Sequence, residues 1–126
     1  MVNKKYLIDF CRETMNHTNG YLLASDFTGW CEGMSALIAY AAIHLFRCSG
    51  TIEVVYGTFN GEGHTWCEID GEIIDATVDQ FGDDYSIYST KLYTEKYTKI
   101  RIVTVSELDN LIWDSDIDYM EHNLNL

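Results

Sequence analysis

His64-Thr65-Trp66-Cys67-Glu68-Ile69-Asp70-Gly71-Glu72-Ile73-Ile74-Asp75-Ala76-Thr77 is the stretch whose reading decides the fold. Two β-prone runs flank one Asp-Gly dipeptide, a strong hairpin signal because a type I′ turn needs positive φ at both central residues. With Asp70-Gly71 at the centre, Ile69 pairs with Glu72, Cys67 with Ile74, Trp66 with Asp75 and His64 with Thr77. Alternation then predicts His64, Trp66, Glu68, Ile73, Asp75 and Thr77 on one face, and Cys67, Ile69, Ile74 and Ala76 on a core-like other face. Asp75 lies diagonally across from His64, about 7–8 Å away at the backbone and within side-chain reach.

Before the hairpin, Thr51 to Phe59 is β-rich, and Asn60-Gly61-Glu62-Gly63 reads as a turn. Nearer the N-terminus the period changes to 3.6. Tyr6, Leu7, Phe10, Cys11 and Met15 make a helical stripe over 3–19, with Gly20 as its stop. After the loop-like stretch 25–29, Met34, Leu37, Ile38, Ala41 and Leu45 predict a largely apolar central helix from Trp30 to Phe46, ended by Ser49-Gly50. Beyond the hairpin, 86–94 and 97–105 read as further strands. A short helix is expected from Ser106, with Asp109 three residues on, and the acidic tail from Asp114 is assigned no element. Two helices followed by antiparallel strands make the class α+β, in one domain spanning 1–126.

The totals bound what such a chain does. Its 126 residues, 47% hydrophobic with 17 aromatics, supply a full core without staples. Twenty acidic against 8 basic residues give a net charge of −12, which repels nucleic acid, anionic lipid and phosphorylated cofactors. It suits a solvated surface or a basic partner. The apolar run near the N-terminus is only Tyr6-Leu7-Ile8, too short for a signal-peptide core, so a cytoplasmic location is expected, with no membrane association. Cysteines 11, 31, 48 and 67 form no CxxC pair and read as reduced, three of them as small core residues. A metal site built on His64 and Cys67 with Cys31 or Cys48 is disfavoured, because residues three apart on a strand face opposite ways. Neither metal nor cofactor is expected.

Gly29-Trp30-Cys31-Glu32-Gly33 opens the central helix. In the first turn, unpaired backbone N–H groups and the positive end of the helix dipole stabilise a thiolate. The two glycines let substrate and backbone approach, and the Cys31 N–H is a natural oxyanion donor. The plainer alternative is a structural cysteine. For His64 it is a half-buried strand histidine, for Asp75 a solvated acid, and for Trp66 an ordinary core aromatic rather than a screen for the His–Asp pair. Brought together, Cys31, His64 and Asp75 are nucleophile, base and orienter of a triad.

Gly29-Trp30-Cys31-Glu32-Gly33 followed by a helix resembles the G-x-C-x-G segment of bacterial transglutaminase-like proteins. Gly57, His64-Thr65-Trp66, the Asp-Gly turn and Asp75-Ala76-Thr77 resemble the same family's G…H-[AT]-W…D-x-T segment, in the right order over about residues 27–80. The resemblance implies a papain-like α+β core with the cysteine-bearing helix packed on an antiparallel sheet. It makes Cys31 the nucleophile, His64 the general base and acid, and Asp75 the orienter, with Gly29, Trp30, Gly33, Trp66 and Thr77 in support. Relatives often supply a second oxyanion donor upstream of the cysteine. Here Asn19, Ser25 and Thr28 are available, and there is no glutamine in that region.

The expected activity is acyl transfer through a thioester, with hydrolysis of a peptide or protein substrate, basic for preference, favoured over transfer to an amine. A small chain has little surface for a second substrate. The contrasting class is a non-catalytic acidic protein that binds a basic partner, in which Cys31→Ala leaves function intact. An acetyl-CoA-dependent transferase lacks the basic cluster for its cofactor's phosphates.

Overall fold

Asp70 and Gly71 both take positive φ, 51° and 81°, as a type I′ turn requires. The computed structural model describes residues 3–20 and 29–124; Ser25, Thr28 and all but Gly29 of the loop expected at 25–29 lie outside the described residues. Around the turn, strands β2 (Glu62–Ile69) and β3 (Glu72–Ile74) pair Ile69 with Glu72, Glu68 with Ile73 and Cys67 with Ile74, the register the turn dictates. The ladder stops there. The chain bends after Ile74, so the expected Trp66–Asp75 and His64–Thr77 strand pairs do not form. The same chemistry recurs at Asn60-Gly61, with φ of 52° and 86°, which closes β1 (Ile52–Phe59) onto β2 with Phe59 opposite Glu62. The four-residue turn expected at 60–63 is thus a two-residue turn, and Glu62 and Gly63 belong to β2.

Strand β4 (Tyr97–Ile102) completes a four-stranded antiparallel sheet in the order β3-β2-β1-β4. Its register against β1 slips between Tyr56 and Gly57. A Cβ on Gly57 would sit 2.0 Å from the Thr98 carbonyl oxygen and 2.8 Å from the Trp66 ring, so any other residue there drives β4 and Trp66 apart.

Helix α1 (Lys4–Asn19) starts at Asn3, whose side chain accepts the Tyr6 N–H, and ends at Gly20 with φ 70°. It buries Leu7, Ile8, Phe10, Cys11, Thr14 and Met15, while Tyr6 stays 42% exposed. The stripe is therefore rotated slightly from the expected one, toward Ile8. Helix α2 (Trp30–Tyr40) buries Met34, Leu37 and Ile38 and runs into a widened turn at Ala41–Leu45. There Phe46 N–H reaches Ala41 C=O and Cys48 N–H reaches Ala42 C=O. Helices α1 and α2 pack on each other, and α2 lies on β1 and β2. Together they enclose an apolar cluster in which each fully buried large side chain contributes roughly 1.5–3 kcal/mol.

Three expectations need correction. Residues 86–94 form no strand: side chains take up backbone groups a ladder would need, with Tyr93 Oη donating to Ser86 C=O and Thr90 Oγ1 to Ile73 C=O at 2.9 Å. The chain there coils into a 3₁₀ turn at Thr90–Lys96. The short helix α3 (Val105–Asp109) is capped by Thr104 rather than Ser106, because Glu107 completes a capping box with Thr104. The acidic tail is helix α4 (Asp114–Asn123), whose early acids suit the positive end of its dipole. It seats on α1 through buried Met120 and a Thr18 Oγ1 to Asp116 Oδ1 hydrogen bond of 2.5 Å. The architecture is α+β. Among the described residues no helix is long and apolar enough to cross a membrane.

Candidate active site

Because the chain bends after Ile74, Asp75 leaves the strand and turns its carboxylate onto the start of β2. His64 Nε2 lies 2.7 Å from Asp75 Oδ2, and both residues are 1% exposed. A buried carboxylate is tolerated where its lone pairs are filled. Here Tyr97 Oη donates to Oδ2 at 2.8 Å, and Thr77 donates to Oδ1 through its N–H at 3.1 Å and its hydroxyl at 3.3 Å. Thr77, read from the sequence as a supporting residue, thus holds the acid rather than the substrate.

Cys31 is the second residue of α2, half-buried and near enough to His64 to help raise the imidazole pKa. Asp75 occupies Nε2, and the other ring nitrogen, Nδ1, lies 3.3 Å from Gln80 Nε2. One helical turn beyond Cys31, the Ser35 hydroxyl donates to the Thr65 carbonyl at 3.1 Å, which ties the cysteine-bearing face of α2 to the residue after His64. Gly29 caps α2 in the left-handed region, φ 88°, and offers no side-chain cap. The Cys31 N–H in that first turn therefore has no side-chain capping partner from Gly29. At Gly33 no protein backbone approaches closely: an added Cβ would meet only Met15 Cε, at an ordinary 3.8 Å.

Aromatic rings wall the imidazole. Trp66 lies nearly parallel to it at 6.0 Å and Phe81 edge-on at 4.9 Å. Trp66 is itself fixed by an Nε1–H bond to Glu68 Oε2 at 2.8 Å, and the buried Glu68 pairs with Lys99 at 2.7 Å. Burial works to lower the His64 pKa. Hydrogen bonds to Asp75 and Cys31, then their negative charges, outweigh it and push the pKa up to about 9. Burial, then the Asp75 charge, hold the Tyr97 phenol well above its usual range. Burial likewise raises the Cys11 and Cys67 thiols, which lie in the apolar cluster as expected of core cysteines; Cys48 is only half-buried.

Three contributors were not foreseen. Tyr97 comes from a strand 22 residues beyond Asp75, and only the pairing of Phe59 with Tyr97 brings it there. Gln80, on a 3₁₀ turn at Val78–Phe81, places its Nε2 3.3 Å from His64 Nδ1. Ser35 had a usable signal, its i+4 spacing from Cys31. Of the upstream residues considered as oxyanion donors, Asn19 spends its amide N–H groups on Met15 Sδ and Thr18 Oγ1. Among the described residues no group of three His, Cys, Asp or Glu side chains gathers as a metal site. Comparison with family models, curated proteins and solved structures finds no match to this chain.

Proposed function

We propose that the chain is a cysteine-dependent acyl-transfer enzyme of transglutaminase-like type with a papain-like core, acting chiefly as a hydrolase on an amide or ester of a peptide or protein. The observation that carries this reading is the buried His64–Asp75 contact of 2.7 Å, with Cys31 near enough to the same ring to help raise its pKa. A raised imidazole pKa favours the thiolate–imidazolium pair, which is the reactive form of such a site.

The thiol proton passes to His64 Nδ1, and the Cys31 sulfur attacks the substrate carbonyl carbon. A C–S bond forms, and the carbonyl π pair moves to oxygen, where the Cys31 N–H stabilises it. Collapse breaks the bond to the leaving amine or alcohol, which takes the proton from Nδ1. Water then attacks the thioester and gives its proton to Nδ1. The C–S bond breaks and the acid departs. Throughout, Asp75 stays ionised and accepts from Nε2–H, fixing the ring's orientation.

The test is the pH profile of Cys31 alkylation, read by mass spectrometry, in the parent chain and in His64→Ala. Fast modification below neutral pH that slows in the variant is expected. A Cys31 that titrates as an ordinary free thiol in both overturns the reading.

A further inference from the structure

A groove of about 340 Å³ runs between the end of α1, the start of α2 and the segment joining α3 to α4. That volume is at the small end for ligand sites, room for one side chain rather than a cofactor. Its walls include Trp30 and Trp113, the latter 63% exposed at the rim, with Asn19 and Asn110 as polar edges. Two carboxylates line it, Glu32 and Asp116, and no lysine or arginine does among the described residues.

Asp116 is the unusual member. It is 3% exposed, and among the described residues its side chain has one partner, the Thr18 hydroxyl on Oδ1. Oδ2 is left without one. A buried carboxylate with an unfilled oxygen, facing a cavity with aromatic walls, has the composition of a site for a cation.

We propose that this groove binds the ammonium or guanidinium of a lysine or arginine side chain, with Asp116 as counter-ion at its floor, Glu32 as a second charge and Trp113 as a cation–π wall. The groove reaches Gly29 and Trp30, the two residues before Cys31. A basic residue seated there belongs to the same substrate as the acyl group on Cys31. This link to the substrate rests on the acyl-transfer reading; the cation site itself does not.

The experiment separates the two. Acetylated, amidated peptides carrying one lysine, and twins with norleucine in its place, are titrated onto Cys31→Ala while the Trp113 indole N–H is followed by NMR. The lysine peptide binds about tenfold tighter than its twin and shifts the Trp113 signal. Asp116→Asn, which keeps an acceptor for Thr18, removes most of that difference. Glu32→Gln reduces it by about two- to fivefold, because its charge is more solvated. Should Asp116→Asn melt, Glu32→Gln and Trp113→Ala carry the test, since both side chains are exposed. Equal binding of the twins, or a lysine preference untouched by these variants, overturns the proposal. Lysine binding in a chain whose Cys31 proves unreactive keeps the cation site and removes its role in catalysis. Reactive Cys31 without lysine preference leaves acyl transfer standing and sinks the groove.

Discussion

The hairpin that carries His64 and Asp75 and the helix start that carries Cys31 meet at one point but are built on opposite principles. On the hairpin side, both Asp75 oxygens are filled, the carboxylate is buried, and aromatic rings pack against the imidazole. Cys31 is half-buried, follows a glycine cap that gives no side-chain hydrogen bond, and is tied down one turn later by Ser35. One half is fixed by the fold, and the other is held by fewer contacts. Every member of a buried polar network bears on stability, whereas a half-buried thiol outside it bears on it little. Stability and reactivity should therefore separate cleanly between the two halves.

The largest break is expected at Asp75. Asp75→Ala leaves Tyr97 Oη and both Thr77 donors unsatisfied and strands His64. The expected loss is about 3–5 kcal/mol in urea unfolding, together with loss of low-pH Cys31 alkylation. Next is pH. The folded-state pKa of His64 near 9 exceeds its ordinary 6.5, so the fold favours the imidazolium. Its stabilisation is complete below about pH 6.5 and is lost as pH rises through 9. The gap in unfolding free energy between the chain and His64→Gln should narrow by roughly 2–3 kcal/mol over that window. A gap that stays flat would mean that the imidazole is neutral throughout, and the contrast between the halves would lose its electrostatic basis.

The same contrast governs what could be read from sequence. The β2–β3 hairpin was legible because Asp70-Gly71 allows few backbone solutions, and a two-residue turn fixes the register of the pairs beside it, here as far as Cys67–Ile74. Asp75 was placed near His64 correctly for a partly different reason: it reaches the ring from a bend, not from across a ladder. Helices α1 and α2 were legible from their periods and from Gly20, and the α+β class followed; α4 was not, and α3 was legible except for its cap. Tyr97 and Gln80 were not legible, since each arrives through tertiary geometry that no local spacing encodes. Residues 86–94 misled because Tyr, Ile and Thr favour strands only where a neighbouring strand waits for them. Here Tyr93 and Thr90 bond to the carbonyls of Ser86 and Ile73 instead.

Tyr97→Phe sharpens the comparison on the hairpin side by removing one hydrogen bond and little volume. A charged acceptor loses one of its donors while keeping His64 and Thr77, so a cost of about 1–2 kcal/mol is expected in the same unfolding assay. Cys31 should remain alkylated at low pH, because the His64–Asp75 contact survives.

The smallest expected effect on stability belongs to the residue with the largest expected effect on chemistry. Cys31→Ala removes one half-buried sulfur from the first turn of α2, where alanine is a good helix former and, among the described residues, no backbone group bonds to the side chain. Unfolding should shift by no more than about 0.5–1 kcal/mol, against total loss of acyl-enzyme formation in any peptide-amide or ester assay. The imidazole then loses the contribution of Cys31, so its pKa, followed by NMR of the ring protons, should fall from about 9 while Asp75 still holds it above 6.5. A Cys31→Ala chain that loses several kcal/mol, with His64 unmoved, would place the thiol among the structural cysteines with Cys11 and Cys67. The open half of the site would then be as fixed as the buried one.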